Sequence, residues 1–243
     1  MCRFVGEEAD FSSRIMGESF EIITIRATCP ESNDQEEFPI NKGLLCQSSA
    51  YFRAVFMGGF AESTQKSIDI NLRPDDMWVF SRWLSSGKLY CRDNLYPYTP
   101  VNSVLVRLYT FADYHDIPAL RRAIMLKFAS PYEWERFDTR VTELQVGTCL
   151  AELPTTSPFY RWLVEHWAHC NSNRLGRKMR QNEAIPQELR DSVFESLENG
   201  RPCKCCHPCK CCHNPCDFHE HESEEEWKKS KSSICLRNIE HPY

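Results

Sequence analysis

Two strand signals, two short helices and a third strand precede the helical periodicity that dominates from Pro74, and that order constrains the fold more than any other feature. FEIITIRATC (Phe20 to Cys29) is rich in β-branched residues and free of Pro and Gly, the composition of a largely buried strand. PESNDQEE then breaks the run, and Phe38 to Ile40 is expected to form a second short strand returning beside the first. NKGLLCQSSAYFRAVFMGGF reads as two short helices, with Leu44, Leu45, Tyr51, Phe52, Val55 and Phe56 on their buried faces. KSIDINL alternates: Ile68, Ile70 and Leu72 point one way, Ser67, Asp69 and Asn71 the other, as in a half-buried strand. The order implies an α+β fold, a small sheet flanked by paired helices.

The helices carry their own start signals. Pro74 with Asp75 and Asp76 opens one whose face is Met77, Phe80 and Leu84 and whose end is Gly87. Val101, Val104, Leu105, Leu108, Phe111 and Ala112 recur at helical spacing. Asp116 is expected as N-cap ahead of Pro118, followed by Leu120, Ala123, Ile124 and Phe128. Ser157 and Pro158 repeat the arrangement, with Phe159, Trp162, Leu163, His166, Trp167 and Cys170 on one stripe, and Pro186 begins a helix through Leu189, Val193 and Leu197. Residues 1–17 lack periodicity and read as a flexible N-terminal arm.

Charge and hydropathy patterning narrow the partners. A net charge of -5 with dispersed Lys and Arg offers no basic field for phosphates, so nucleic acid is not expected as a partner. No run approaches eighteen apolar residues and the start carries no leader pattern, so the expected location is cytoplasmic, nuclear or both, with no membrane partner. In that reducing setting a dense cysteine cluster is a metal-binding or redox device more often than a disulfide framework.

The succession of strand hairpin, two small helices, strand and paired helices resembles the BTB/POZ domain. The resemblance rests on an aromatic residue, a basic residue, a leucine pair, a serine, a Tyr-Phe dipeptide and a Phe with Glu-Ser. Here these are Phe38, Lys42, Leu44, Leu45, Ser49, Tyr51, Phe52, Phe60, Glu62 and Ser63. KSIDINL and WVFSRWLSSGKLY fit the family's next strand and helix, and LVRLYTFADYHDIPALRRAI matches the Ala-Asp-x-Tyr, Ile and Leu pattern of its last two helices. The match covers residues 18–131. TTSPFYRWLVEHWAH and NEAIPQELRDSVFE, within residues 132–200, resemble the helical extension of the BTB proteins abundant in filamentous fungi.

The resemblance implies a non-catalytic protein-protein interaction module that takes no small-molecule substrate. Its implied roles are self-association, adaptor function that recruits substrates to a cullin-type ubiquitin ligase, and a transcription-linked scaffold. Several positions depart from the family's pattern. Asn41 stands where His is frequent, Glu21 replaces a frequent Asp, residues 1–17 show no counterpart of the exchanged amino-terminal helix, and SSGKLYC after Leu84 carries no carboxylate of the cullin-gripping kind. Glu21 and Lys42 are either a charged pair, as in the pocket of some members, or two solvated charges. Trp78, Trp83, Trp134, Trp162 and Trp167, with Tyr90, Tyr96 and Tyr98, are residue types that dominate interfaces when exposed and cores when buried. The loop YCRDNLYPYTP is open to both readings.

Residues 201–243 form a Cys/His-rich tail built on a six-residue repeat, CKCCHP then CKCCHN. Cys203 with Cys206 and Cys209 with Cys212 have the two-residue gap that lets two thiolates reach one metal, and Cys216, His219, His221 and Cys235 supply a mixed set. Zinc suits such sulfur and nitrogen donors, in a structural knob rather than a catalytic site. The alternative is a thiol-rich tail that binds metal opportunistically or oxidises, and a corresponding functional alternative is metal handling through the tail. EHESEEEWKK reads as a solvated charge run. No phosphate-cradling loop, Gly-x-Ser-x-Gly turn or His-Glu-x-x-His pair occurs. Cys46 and Cys91 are the thiols considered as nucleophiles, and a lone Cys among apolar neighbours is usually inert core.

Overall fold

The computed structural model describes residues 21–59, 65–89, 101–128, 153–170 and 185–199. Within them a small three-stranded sheet and seven helices make a mixed α+β fold. The chain divides into two compact units, residues 1–120 and 121–243.

In the first unit the sheet has the order β2-β1-β3. β1 (Ile22–Thr28) is central, antiparallel to β2 (Gln35–Asn41) and parallel to β3 (Ser67–Asn71). The register sets Ile23 opposite Ile40, Ile25 opposite both Phe38 and Ile68, and Ala27 opposite Ile70, so apolar residues line one face in all three strands. Ile23, Ile25 and Ala27 are fully buried, while Thr24, Arg26 and Thr28 are half-buried on the opposite face. β1 is therefore a two-faced strand rather than the largely buried one expected from its β-branched content. β2 begins three residues earlier than Phe38 because Gln35, Glu36 and Glu37 pair through their backbones with their side chains exposed. Such an edge strand needs few apolar residues to exist. Between β1 and β2 the turn closes through Cys29 N–H to Asp34 O at 2.8 Å, with Asn33 in the left-handed region (φ 60) that Asn tolerates.

The helices of this unit are α1 (Lys42–Ser48), α2 (Ala50–Met57), α3 (Pro74–Ser86) and α4 (Val101–Tyr114). α3 packs on β1, β2, α1 and α4, burying Met77, Phe80, Trp83 and Leu84. Gly87 ends it in the left-handed conformation (φ 69), its N–H bonded to Trp83 O at 2.7 Å. α4 buries Val104, Leu105, Leu108, Phe111 and Ala112, following its helical spacing. It closes in a Schellman turn: Asp116 N–H donates to Asp113 O, Ile117 N–H donates to Ala112 O, and Asp116 takes φ 48. That left-handed backbone is incompatible with the extended conformation of an N-cap, so Asp116 ends α4 instead of starting α5 (Pro118–Phe128).

α5 begins in the first unit and continues in the second, where Ile124 and Met125 are buried. α6 (Pro158–Cys170) and α7 (Gln187–Asn199) pack on each other in the second unit. Ser157 caps α6 as expected, its hydroxyl accepting from Tyr160 N–H at 3.3 Å. Pro186 sits just before α7 and its carbonyl accepts from Arg190 N–H at 3.1 Å. Phe159, Trp162, Leu163, Leu189 and Val193 form the core here, and Tyr160 Oη meets Ser192 Oγ at 3.3 Å. Among the described residues no helix is long and apolar enough to cross a membrane.

Candidate functional site

Of the sequence residues singled out for interaction, Lys42, Leu44, Leu45, Ser49, Tyr51 and Phe52 lie on the α1–α2 corner, which meets the end of α4. Asn41 caps α1, its side chain accepting from Leu44 N–H at 2.9 Å, and Ser49 caps α2, accepting from Phe52 N–H at 3.0 Å. Two caps eight residues apart in sequence turn the chain sharply enough to present two short helices side by side. Ser49 is buried, and its hydroxyl also donates to His115 O at 2.6 Å, joining the start of α2 to the residue that follows α4.

Aromatic rings fill the space around that bond. Phe52 is fully buried and stacks on the His115 imidazole, centroids 5.2 Å apart and planes 6° from parallel. Tyr51 meets the same imidazole edge-on at 5.0 Å, Phe111 lies 4.3 Å away and Tyr114 4.9 Å away. The Nδ1 of His115 lies 2.9 Å from Phe111 O, which fixes the tautomer with the proton on Nδ1. Burial pushes the imidazole pKa down, opposed by that hydrogen bond to the carbonyl. At the rim, Tyr51 is 39% exposed and Tyr114 77%, with ring centroids 6.5 Å apart, and Met57 at 64% lies at the end of α2.

Glu21 and Lys42 form a pair rather than two solvated charges. Lys42 Nζ lies 3.0 Å from Glu21 Oε2, Lys42 N–H donates to Glu21 O at 2.9 Å, and the ammonium sits 5.8 Å from the Phe56 ring centroid. Of the remaining sequence-derived residues, Phe38, Leu45 and Phe52 are core and Leu44 is half-buried. Tyr51, expected on a buried face, is instead exposed at the rim. Phe60, Glu62 and Ser63 lie outside the described residues, as do residues 1–17, Cys91, Tyr90, Tyr96, Tyr98, Trp134 and the tail with Cys203, Cys206, Cys209, Cys212, Cys216, His219, His221 and Cys235. Trp83 and Trp162 are core, whereas Trp78 is half-buried with the Arg82 guanidinium 5.3 Å from its ring. Cys46 is buried, its thiol 3.7 Å from Phe52 O. Among the described residues no three His, Cys, Asp or Glu side chains group as a metal site.

Two features escaped the sequence reading. Counting Ala-Asp-x-Tyr from Ala112 places the pattern's tyrosine on His115, so a titratable ring occupies that position and Tyr114 is the variable residue before it. Asp76, read as a helix-opening acid, is fully buried and takes both oxygens to Arg107, Oδ2 to Nε at 2.6 Å and Oδ1 to Nη2 at 2.8 Å. Burial pushes the Asp76 carboxyl pKa up against the pull of that guanidinium. The partner lies 31 residues away, beyond the reach of local pattern.

No protein-family model matches the chain, and no curated protein matches it.

Proposed function

We propose that this chain is a protein-protein interaction module of the BTB/POZ kind, an adaptor or scaffold without catalytic activity. One observation carries the reading. Tyr51 and Tyr114 expose apolar surface on a corner whose inner residues, Ser49, Phe52 and Phe111, are buried, with Ser49 bonded to Phe52 and both rings packed on His115. Tyrosine on a rigid support offers large contact area at little entropic cost, the property that makes it an interface anchor. The bound species is a second protein chain, either another copy of this one or the amino-terminal domain of a cullin scaffold, and the chain acts in the cytoplasm or nucleus.

Sedimentation of the full chain, alone and with that cullin domain, tests this with a Tyr51→Ser/Tyr114→Ser variant as control. The expected result is an association that the double substitution weakens at least ~10-fold, equivalent to about 1.4 kcal/mol. Association unchanged by the substitutions would remove this corner from the interface.

The duplicated CKCCHP and CKCCHN segments favour a second element of the proposal, a zinc-holding tail that draws on Cys203, Cys206, Cys209, Cys212, Cys216, His219, His221 and Cys235. Deleting residues 201–243 is expected to abolish zinc stoichiometry while leaving partner binding intact. Zinc-dependent phenotypes lost with the same deletion would favour the metal-handling alternative.

A further inference from the structure

We propose that His115 and the rings around it form a proton-sensitive clasp between α2 and the end of α4, closed when the imidazole is neutral and loosened when it gains a second proton. The device belongs to the fold and holds whichever partner the module binds.

The geometry supplies the argument. His115 follows the last turn of α4, and its two polar handles are used in different directions: the backbone carbonyl accepts from Ser49 Oγ at the start of α2, and Nδ1 donates to Phe111 O on α4. One residue thus ties two helices that are far apart in sequence. Its ring is covered by Phe52 on one face and meets Tyr51, Phe111 and Tyr114 around it. A second proton would go to Nε2 of a half-buried imidazole whose ring is packed against these aromatic side chains. Desolvation therefore opposes the cation, consistent with the downward displacement of its pKa from 6.5.

Other charges on the surrounding elements nearly balance. On the α1–α2 side stand Lys42, held by Glu21 and the Phe56 ring, and Arg53, whose guanidinium donates to Cys46 O at 3.1 Å and to Gln47 O at 3.3 Å. α3 and α4 contribute Asp76 and Arg107, which engage each other, and the His115 turn contributes Asp113 and Asp116 with the Tyr51 and Tyr114 phenols nearby. Among the described residues the hydrogen-bond partner of the ring is the Phe111 carbonyl. The sign follows: a base whose folded pKa is depressed leaves the unfolded chain holding more protons, so the contribution is full above pH 6.5 and is lost as pH falls through the folded value.

The test is an imidazole NMR titration of the full chain, with His115 assigned by its loss in His115→Tyr, together with amide exchange at Phe52 and Ile117. Those two amides flank the clasp on either side: Phe52 N–H bonds to Ser49 Oγ, the hydroxyl that donates to His115 O, and Ile117 N–H bonds to Ala112 O in the turn that carries His115. The expected result is a His115 midpoint shifted below 6.5, and exchange at both amides, corrected for its intrinsic pH dependence, that accelerates across the same window. His115→Tyr is expected to retain the packing and lose the acceleration. A midpoint at or above 6.5 overturns the proposal, as does acceleration that persists in His115→Tyr. If that variant fails to fold, the wild-type titration, assigned through bonds from the Tyr114 and Asp116 backbone, decides alone.

Discussion

Two regions of the first unit use the same chemistry, an arginine fork on a carboxylate, to opposite ends. Between α3 and α4, Asp76 is fully buried and Arg107 nearly so, with side-chain exposures of 0% and 17%. On the outer side of the sheet, Arg26 bridges to Asp69 across the parallel β1–β3 pair, and Arg73 grips Glu31 in the β1–β2 turn; here the carboxylates are 65% and 57% exposed. Surroundings decide what the pairing does. Burial drives the Asp76 pKa upward despite its partner, whereas Glu31, with water beside it, is held down to about 2 by the Arg73 hydrogen bond and then by the Cys29 thiol. The interior pair fixes α3 against α4 and leaves a stranded charge if broken, while the outer pairs trim a surface that water would serve almost as well.

The largest expected effect breaks the interior pair. Arg107→Ala should destabilise the fold by ~3–5 kcal/mol, because it leaves the Asp76 carboxyl buried and unpaired. Replacing both partners, Asp76→Leu with Arg107→Met, should recover most of that loss, since two apolar residues need no mutual charge. Urea denaturation of the two variants beside wild type checks it, and a loss in Arg107→Ala near that of the surface pairs would collapse the distinction between the regions.

Next comes the cap that joins α2 to α4. Ser49→Ala removes an acceptor for Phe52 N–H and a donor to His115 O, and should cost ~0.5–2 kcal/mol. Thermal unfolding of Ser49→Ala beside Ser49→Thr measures it, the threonine being able to keep both bonds.

The smallest effect is expected at the turn. Glu31→Gln should lower stability at pH 7 by only ~0.2–1 kcal/mol, after allowance for solvent screening of an exposed pair. Its pH dependence has a definite sign: a carboxylate with a folded pKa near 2 and an unfolded one near 4.5 contributes above pH 4.5 and loses that contribution as pH falls toward 2. Midpoints of wild type and Glu31→Gln should therefore converge on acidification. A gap that widens below pH 4.5 would contradict the assignment.

Local pattern revealed much of this fold and little of its long-range chemistry. The alternation of Ile68, Ile70 and Leu72, the Ser157-Pro158 cap and the helical stripe of α4 are encoded within one or two turns of chain, so periodicity exposed them. The full length of β2 was hidden because Glu36 and Glu37 pair through backbone atoms on an edge, where side-chain polarity carries no signal. Asp76 resembled an ordinary first-turn acid, and only the approach of α4 turns it into a buried ion-pair partner. Ser49 was identified from its place in the BTB-like pattern, but its bond to His115 spans 66 residues and had no local trace. Asp116 followed the composition rule for N-caps, yet the Schellman turn of the preceding helix claimed it first.

The central claim is that this chain works by binding other proteins. Native mass spectrometry of the purified full chain, alone and mixed with the amino-terminal domain of a cullin scaffold, tests it most directly. The account predicts a discrete dimer of the chain or a stoichiometric complex with the cullin domain. A chain that stays monomeric and passes the cullin domain without forming a complex would contradict it.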